Sequence, residues 1–114
     1  MASSLVHYVL LRTDLGWPKS ALATQAVHAS NTCLFRYFQD PLVQNFLDSE
    51  SNMCVILKQI PSLTEFNNLI SELTSLKLDH SVWIEEPEHI PVAIAIKPYE
   101  RKDLNLVIGK FKLF

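Results

Sequence analysis

Apolar residues recur along the chain in two patterns, short β-prone runs and longer stretches at helical spacing. The run Val9–Leu11 is followed by a Gly and a Pro, where a strand should stop. Pro18 suits the first turn of a helix, and Ser62 and Glu65 have the spacing of a capping box before another helical run. The pattern predicts strands at 9–11, 53–60, 82–85 and 92–97, helices at 18–38, 40–47, 62–76 and 100–108, and an extended end at 110–114.

This alternation of four strands and four helices predicts an α/β fold. We expect residues 1–114 to form a single domain, because 114 residues can bury one core but leave no room for a second. Crossover connections imply a mainly parallel or mixed four-stranded sheet with helices on both faces. Ligand sites in such sheets lie at the carboxyl ends of strands, where segments 12–19 and 85–88 both fall.

Composition adds limits on location and partners. A net charge of -2 argues against broad electrostatic attraction to nucleic acid, so any RNA contact must come from a local patch. The longest uncharged stretch, Ser20–Phe35, is too short and polar for a membrane span. The amino terminus has no basic leader, so no signal peptide is expected. These features predict a cytoplasmic protein with no membrane contact.

Metal and cofactor chemistry receive no support from the residue spacing. Cys33 and Cys54 have neither metal-ligand nor redox spacing and are interpreted as buried free thiols. His7, His80 and His89 form no zinc pattern with each other or with the cysteines. The chain also lacks a Gly-rich loop that could cradle phosphates. We therefore expect no metal and no cofactor.

Candidate chemistry begins on the first predicted helix. Positions 21, 25, 28 and 32 fall on one stripe at helical spacing, so Gln25 and His28 should face the same way beside Thr24. That stripe should face the loop between the first strand and the helix. Gln25 could alternatively bind a neighbouring carbonyl, and His28 could tie backbone segments together.

Motifs at both ends of the chain resemble one known family. Arg12, Asp14 and Leu15 match its Arg-x-Asp-Leu strand end, and residues 23–29 match its helix motif Ala-Ala-Gln-x-x-His-Ala, with Thr24 replacing an Ala. The late segment SVWIEEPEHIPVAIAIKPY and the ending KFKLF are also similar. The chain thus resembles the archaeal and eukaryotic (type II) peptidyl-tRNA hydrolases. It is most similar to their small branch of peptidyl-tRNA hydrolase domain-containing proteins, which share the Trp-Pro turn and the Glu-x-Pro-Glu segment.

The resemblance implies hydrolysis of the ester between a peptide and tRNA, and it also identifies departures. The family's catalytic Lys falls on Ala21, although Lys19 lies nearby and could reach the same space. Its catalytic Asp falls on Glu86, and two Thr hydroxyls fall on Ile90 and Val92. The catalytic candidates are Gln25, Glu86 and Lys19. A carboxylate at Glu86 would orient or deprotonate water, and Gln25 would donate to the oxyanion or hold the water.

RNA contacts are predicted at Arg12, His28, Arg101 and Lys102. Ordinary solvated charges are the alternative for the cations. Arg12 could instead pair with Glu85 or Glu86, and Asp14 could cap the turn or orient Lys19. The expected partner is tRNA or peptidyl-tRNA, a protein partner being the alternative. The oligomeric state, including a homodimer, stays open.

Two functions remain open at this stage. One is a hydrolase weakened by the loss of the family's Lys and Thr side chains, in which Gln25 and Glu86 carry the reaction. The other is a non-catalytic relative that binds RNA or a protein. The residues at Ala21, Ile90 and Val92 favour the second, and the retained Gln25 and acid favour the first.

Overall fold

A computed structural model describes residues 4–49 and 52–114. Its elements follow the predicted order. They are β1 (Leu5–Arg12), α1 (Lys19–Arg36), α2 (Pro41–Asp48), β2 (Cys54–Ile60), α3 (Leu63–Ser75), β3 (His80–Glu85), β4 (Ile90–Ile96), β5 (Tyr99–Glu100) and α4 (Arg101–Ile108). However, β1 is longer than predicted and the two-residue strand β5 was not predicted. The Ser62 hydroxyl accepts a hydrogen bond from the backbone N–H of Glu65, which caps α3 as its sequence predicts.

The four long strands form one mixed sheet in the order β2-β1-β4-β3, and β5 pairs with the start of β1. Among the strands of the described residues, only β1 and β2 pair in parallel, while β4 runs antiparallel to both of its neighbours. The strands β1, β2 and β3 therefore point the same way and end at one edge of the sheet. The mixed sheet is confirmed, and a mainly parallel one is wrong.

Helices cover both faces of the sheet, as predicted. Alternate residues of β1 point to opposite faces: Val9 and Leu11 pack under α1, whereas Tyr8 and Leu10 pack under α3 and α4. α2 lies on the α1 side, where the ring of Phe46 contacts His7. The sheet thus has two separate apolar layers, and on its own face of the sheet α1 packs against β3 and β4.

The free edge of β2 is covered by the carboxyl-terminal segment. Leu113 forms an antiparallel bridge with Lys58, and the backbone N–H of Phe114 donates to the carbonyl of Leu57. The predicted extended ending is confirmed for residues 112–114, whereas residues 110 and 111 belong to the turn that follows α4. No helix in the described ranges is both long and apolar enough to cross a membrane.

One expectation about burial needs correction, and one cation is buried: Lys97 lies just after β4 and is only 4% exposed. Cys33 is a buried free thiol as expected, but Cys54 is only half-buried and accepts a hydrogen bond from Arg101.

Candidate functional site

A polar cluster lies where α1 crosses β3, near the edge at which β1 and β3 end. Gln25 is buried in α1, and its Nε2 donates to Oε2 of Glu85 at 2.7 Å. The indole Nε1 of Trp83 donates to Oε1 of Gln25, also at 2.7 Å. An indole N–H can only donate and an ionised carboxylate can only accept, so the two partners fix the orientation of the amide. We name Gln25, Trp83 and Glu85 the amide cluster.

The alternation of β3 explains why Glu85, and not Glu86, meets Gln25. Trp83 and Glu85 are two residues apart and share the face that α1 covers. Glu86 follows the strand, is exposed, and accepts a hydrogen bond from Nδ1 of His89 at 3.0 Å. Of these two neighbouring acids, Glu85 is therefore the one that contacts Gln25. The catalytic role assigned to Glu86 stays a prediction.

His28 lies beside the amide cluster, so it shares a side of α1 with Gln25 as the helical stripe predicts. The contacts of both residues, however, are with β3 and not with the loop between β1 and α1 as expected. Its ring stacks on the ring of Trp83 with centroids 4.7 Å apart and planes 22° apart. The side chain of His28 is exposed. Tying backbone together falls to other histidines: Nδ1 of His7 contacts the carbonyl of Ile96, and Nδ1 of His80 contacts that of Leu78.

Arg12 is the last residue of β1, and its guanidinium forms hydrogen bonds within the protein. Its Nε and Nη2 donate to the two carboxylate oxygens of Asp14 at 3.1 and 2.8 Å, and its Nη1 donates to the carbonyl of Pro91 at 3.0 Å. The hydrogen bond from Arg12 holds the pKa of Asp14 below its usual value. Arg12 therefore pairs with Asp14, and pairing with Glu85 or Glu86 is wrong.

Lys19 contacts a different edge of the sheet. It begins α1 and is exposed, and its Nζ lies 5.9 Å from the ring centre of Phe114. Phe114 is bonded to β2, whereas Glu85 belongs to β3, three strand spacings or about 14 Å away. The structure thus does not bring Lys19 together with Gln25 and Glu85.

Arg101 and Lys102 lie at the opposite end of the sheet from Glu85. They open α4, next to the pairing of Glu100 with Leu5 at the start of β1. Seven residues of strand, about 23 Å, separate that end from Arg12. Both side chains are exposed, but they do not form one patch with the amide cluster.

The positions of the family's lost side chains lie in apolar surroundings. Val92 is fully buried in the layer under α1, and Ile90 packs against the same layer. Ala21 is half-buried on α1, one turn before Gln25. The side chains at these three positions are hydrocarbon, whereas the resemblance implies two hydroxyls and one cation there.

Trp83 is the site residue that the sequence analysis did not single out. It holds the amide of Gln25 and supports the ring of His28 at the same time. A signal was present, because alternation in the segment SVWIE puts Trp83 and Glu85 on one face and moves Glu86 out of it. Among the described residues, no group of three or more His, Cys, Asp or Glu side chains is placed to hold a metal ion.

Comparisons with known proteins identify the family of the chain. The family described as "Peptidyl-tRNA hydrolase PTH2" matches residues 5–114. A human protein named "Putative peptidyl-tRNA hydrolase PTRHD1" is 33% identical over 115 residues, covering 96% of this chain and 82% of that protein. The mouse protein of the same name is 32% identical over the same shares.

Proposed function

Because the chain belongs to the peptidyl-tRNA hydrolase PTH2 family, we propose that it hydrolyses the ester that joins a peptide to the terminal ribose of tRNA, at a reduced rate. The reaction would take place at the amide cluster. The observation that carries this proposal is the 2.7 Å contact between Gln25 and Glu85, which sets an oriented amide beside a carboxylate.

Glu85 is the carboxylate that this geometry favours as the base. It is half-buried, and Gln25 occupies only its Oε2, which leaves Oε1 to accept from a water. Glu85 would take one proton as the water oxygen bonds to the ester carbon. The carbon–oxygen bond to the ribose then breaks, and the ribose oxygen receives the proton.

Gln25 would steady the carbonyl oxygen while it carries negative charge. Its Nε2 has a second N–H besides the one donated to Glu85, and its orientation is held by Trp83. Neither Lys19 nor Arg12 adds a cation there, because Lys19 lies toward Phe114 and Arg12 is paired with Asp14. A missing oxyanion donor typically lowers the rate by about 100- to 1000-fold, which is the reason for the reduced rate.

Substrate binding would depend on cations outside the amide cluster. Arg101 and Lys102 are exposed and stay predicted contacts for the phosphates of tRNA. With a net charge of -2, binding through such a patch should weaken steeply as salt is added. Cytoplasmic location is proposed with this substrate, and a homodimer stays an alternative to a monomer.

The test is release of tRNA from a defined peptidyl-tRNA by matched glutamate variants. Glu85→Gln should lower the rate by about 100-fold or more, since a general base contributes at least that much. Glu86→Gln should keep most of the activity, and Glu88→Gln serves as an exposed control. Gln25→Ala should be as damaging as Glu85→Gln. Loss of activity in Glu86→Gln alone would mean that Glu86 is the base, as the resemblance implies.

A non-catalytic relative that binds RNA or a protein is the second candidate. The observation in its favour is that Ala21, Ile90 and Val92 have hydrocarbon side chains at the positions where the resemblance implies a Lys and two Thr. That function predicts saturable tRNA binding with no release above the uncatalysed rate. Binding that does not weaken as salt is added would indicate a protein partner in place of RNA.

A further inference from the structure

We infer that the stacked rings of His28 and Trp83 form a platform for the unpaired 3′-terminal base of the tRNA substrate. This inference rests on the proposed function and adds the part of the substrate that the site would recognise. Its basis is the geometry of the stack and its position relative to the amide cluster.

The stack leaves one aromatic face open. The rings lie 4.7 Å apart and within 22° of parallel, so one face of His28 is covered by Trp83. His28 is exposed, which leaves its other face accessible. Among residues 4–49 and 52–114, the His28 ring stacks on Trp83 and makes no hydrogen bond or ion pair. The imidazole is therefore held flat while its outer face is free.

The lower ring of the platform cannot easily turn away. Nε1 of Trp83 is bonded to Gln25, and Gln25 is bonded in turn to Glu85. A rigid aromatic face can bind an unpaired base, because a base stacks on a flat ring and the two apolar surfaces exclude water from between them. Single-stranded ends are where RNA exposes bases in this way, and every tRNA ends in an unpaired CCA.

The spacing of the platform from the reacting groups fits one nucleotide. Gln25 and His28 are three residues apart on α1, which puts their side chains about 5 to 6 Å apart at Cβ. Trp83 and Glu85 are two residues apart on β3, or about 7 Å. A base stacked on His28 would thus direct its ribose, and the ester on that ribose, toward Gln25 and Glu85.

The experiment measures base stacking without any hydrolysis. The probe is a short single-stranded RNA that ends in CC and a 3′-terminal 2-aminopurine ribonucleotide, with no ester to cleave. We expect saturable quenching of its fluorescence by the unaltered protein. His28→Ala should weaken binding by about 10-fold or more, as loss of a base–aromatic stack does, and His28→Phe should retain it. Val27→Ala, an exposed neighbour on α1, is the matched control and should bind normally.

The outcomes separate this inference from the proposed hydrolysis. Equal quenching by the unaltered protein and His28→Ala overturns the platform, even where ester release depends on Glu85. Loss of binding in both His28→Ala and His28→Phe also overturns it, because the contact would then require the imidazole nitrogens. Quenching that depends on an aromatic ring at position 28, in a protein that releases no tRNA, supports the platform and rejects the hydrolase.

Discussion

Buried polar groups have different partners at the two ends of the sheet. At the end of β4, Nζ of Lys97 donates to Asp40 at 2.6 Å and to Asp79 at 3.1 Å and lies 4.6 Å from the ring centre of Tyr99. We name these four residues the lysine cluster. At the other end, the amide cluster sets Gln25 beside Glu85 with no cation among its contacts in the described residues.

Charge matching accounts for the difference. Burial alone would lower the pKa of Lys97, but the hydrogen bonds to Asp40 and Asp79 raise it above its usual value, so the ammonium stays charged. The bond from Lys97 likewise lowers the pKa of Asp40. In the lysine cluster each charged group has a partner of opposite charge, so its contacts stabilise the fold. The amide cluster keeps one unused N–H on Gln25 and one unused carboxylate oxygen on Glu85, and these can bind a ligand.

The largest effect is expected from removing the cation of the lysine cluster. Lys97→Met should lower the free energy of unfolding by about 3 kcal/mol, because two carboxylates lose the partner that joins them to β4. Chemical denaturation at neutral pH measures the loss. Lys110→Met is the control, since Lys110 is exposed and lies 3.6 Å from Glu72, and it should cost less than 1 kcal/mol. Equal losses of stability in the two variants would mean that Lys97 stabilises the fold no more than an exposed lysine does. That result would contradict the comparison of the two clusters.

The next effect comes from giving the amide cluster the cation that it lacks. Ala21→Lys places an ammonium one turn before Gln25 and should raise the rate of tRNA release about 100-fold, the usual contribution of one oxyanion donor. Ala23→Lys is the matched control because Ala23 is exposed on α1 and lines a groove beside β2. It should leave the rate unchanged. An unchanged rate in Ala21→Lys would place the defect at Ile90 or Val92.

Sequence periodicity predicted the four helices and the four long strands, but it missed β5 and did not give the direction of every strand. β3 and β4 were predicted, yet the short link between Glu85 and Ile90 cannot hold the crossover that a parallel pair needs. The link itself therefore contained the signal for an antiparallel pair. β1 was predicted too short because His7 interrupts the apolar run, although its ring is buried and bonded to Ile96.

The site was predictable only in part, because several partners lie far apart in the sequence. Helical spacing placed Gln25 and His28 on one face, and the structure confirms it through their shared contact with Trp83. The pairing of Arg12 with Asp14 could not be separated from pairing with Glu85 by spacing alone. Likewise, nothing in the local sequence around Lys97 shows that Asp40 and Asp79 meet it in the folded chain.

The smallest predicted effect concerns acid, and it tests the lysine-cluster side of the comparison. His7 is fully buried on that side of β1, with Nδ1 against the carbonyl of Ile96 and Nε2 against the hydroxyl of Ser30. Burial lowers the pKa of His7 from 6.5 to about 4. The unfolded chain therefore takes up this proton at a higher pH than the folded chain. His7 should reduce stability as the pH falls below 6.5, by about 2 kcal/mol between pH 7.5 and pH 5.

Urea unfolding at these two pH values measures the loss, and His7→Gln should remove it. The carboxylates of Asp14 and Asp40 do not interfere, because their lowered pKa values place their loss of stability below that range. His89→Gln, an exposed control, should retain the loss. Imidazole nitrogen shifts should show a neutral His7 ring at pH 5 with the proton on Nδ1, since a carbonyl can only accept. A charged His7 ring in the folded protein at pH 5 would mean that this end of the sheet admits water, and the contrast with the amide cluster would then rest on Lys97 alone.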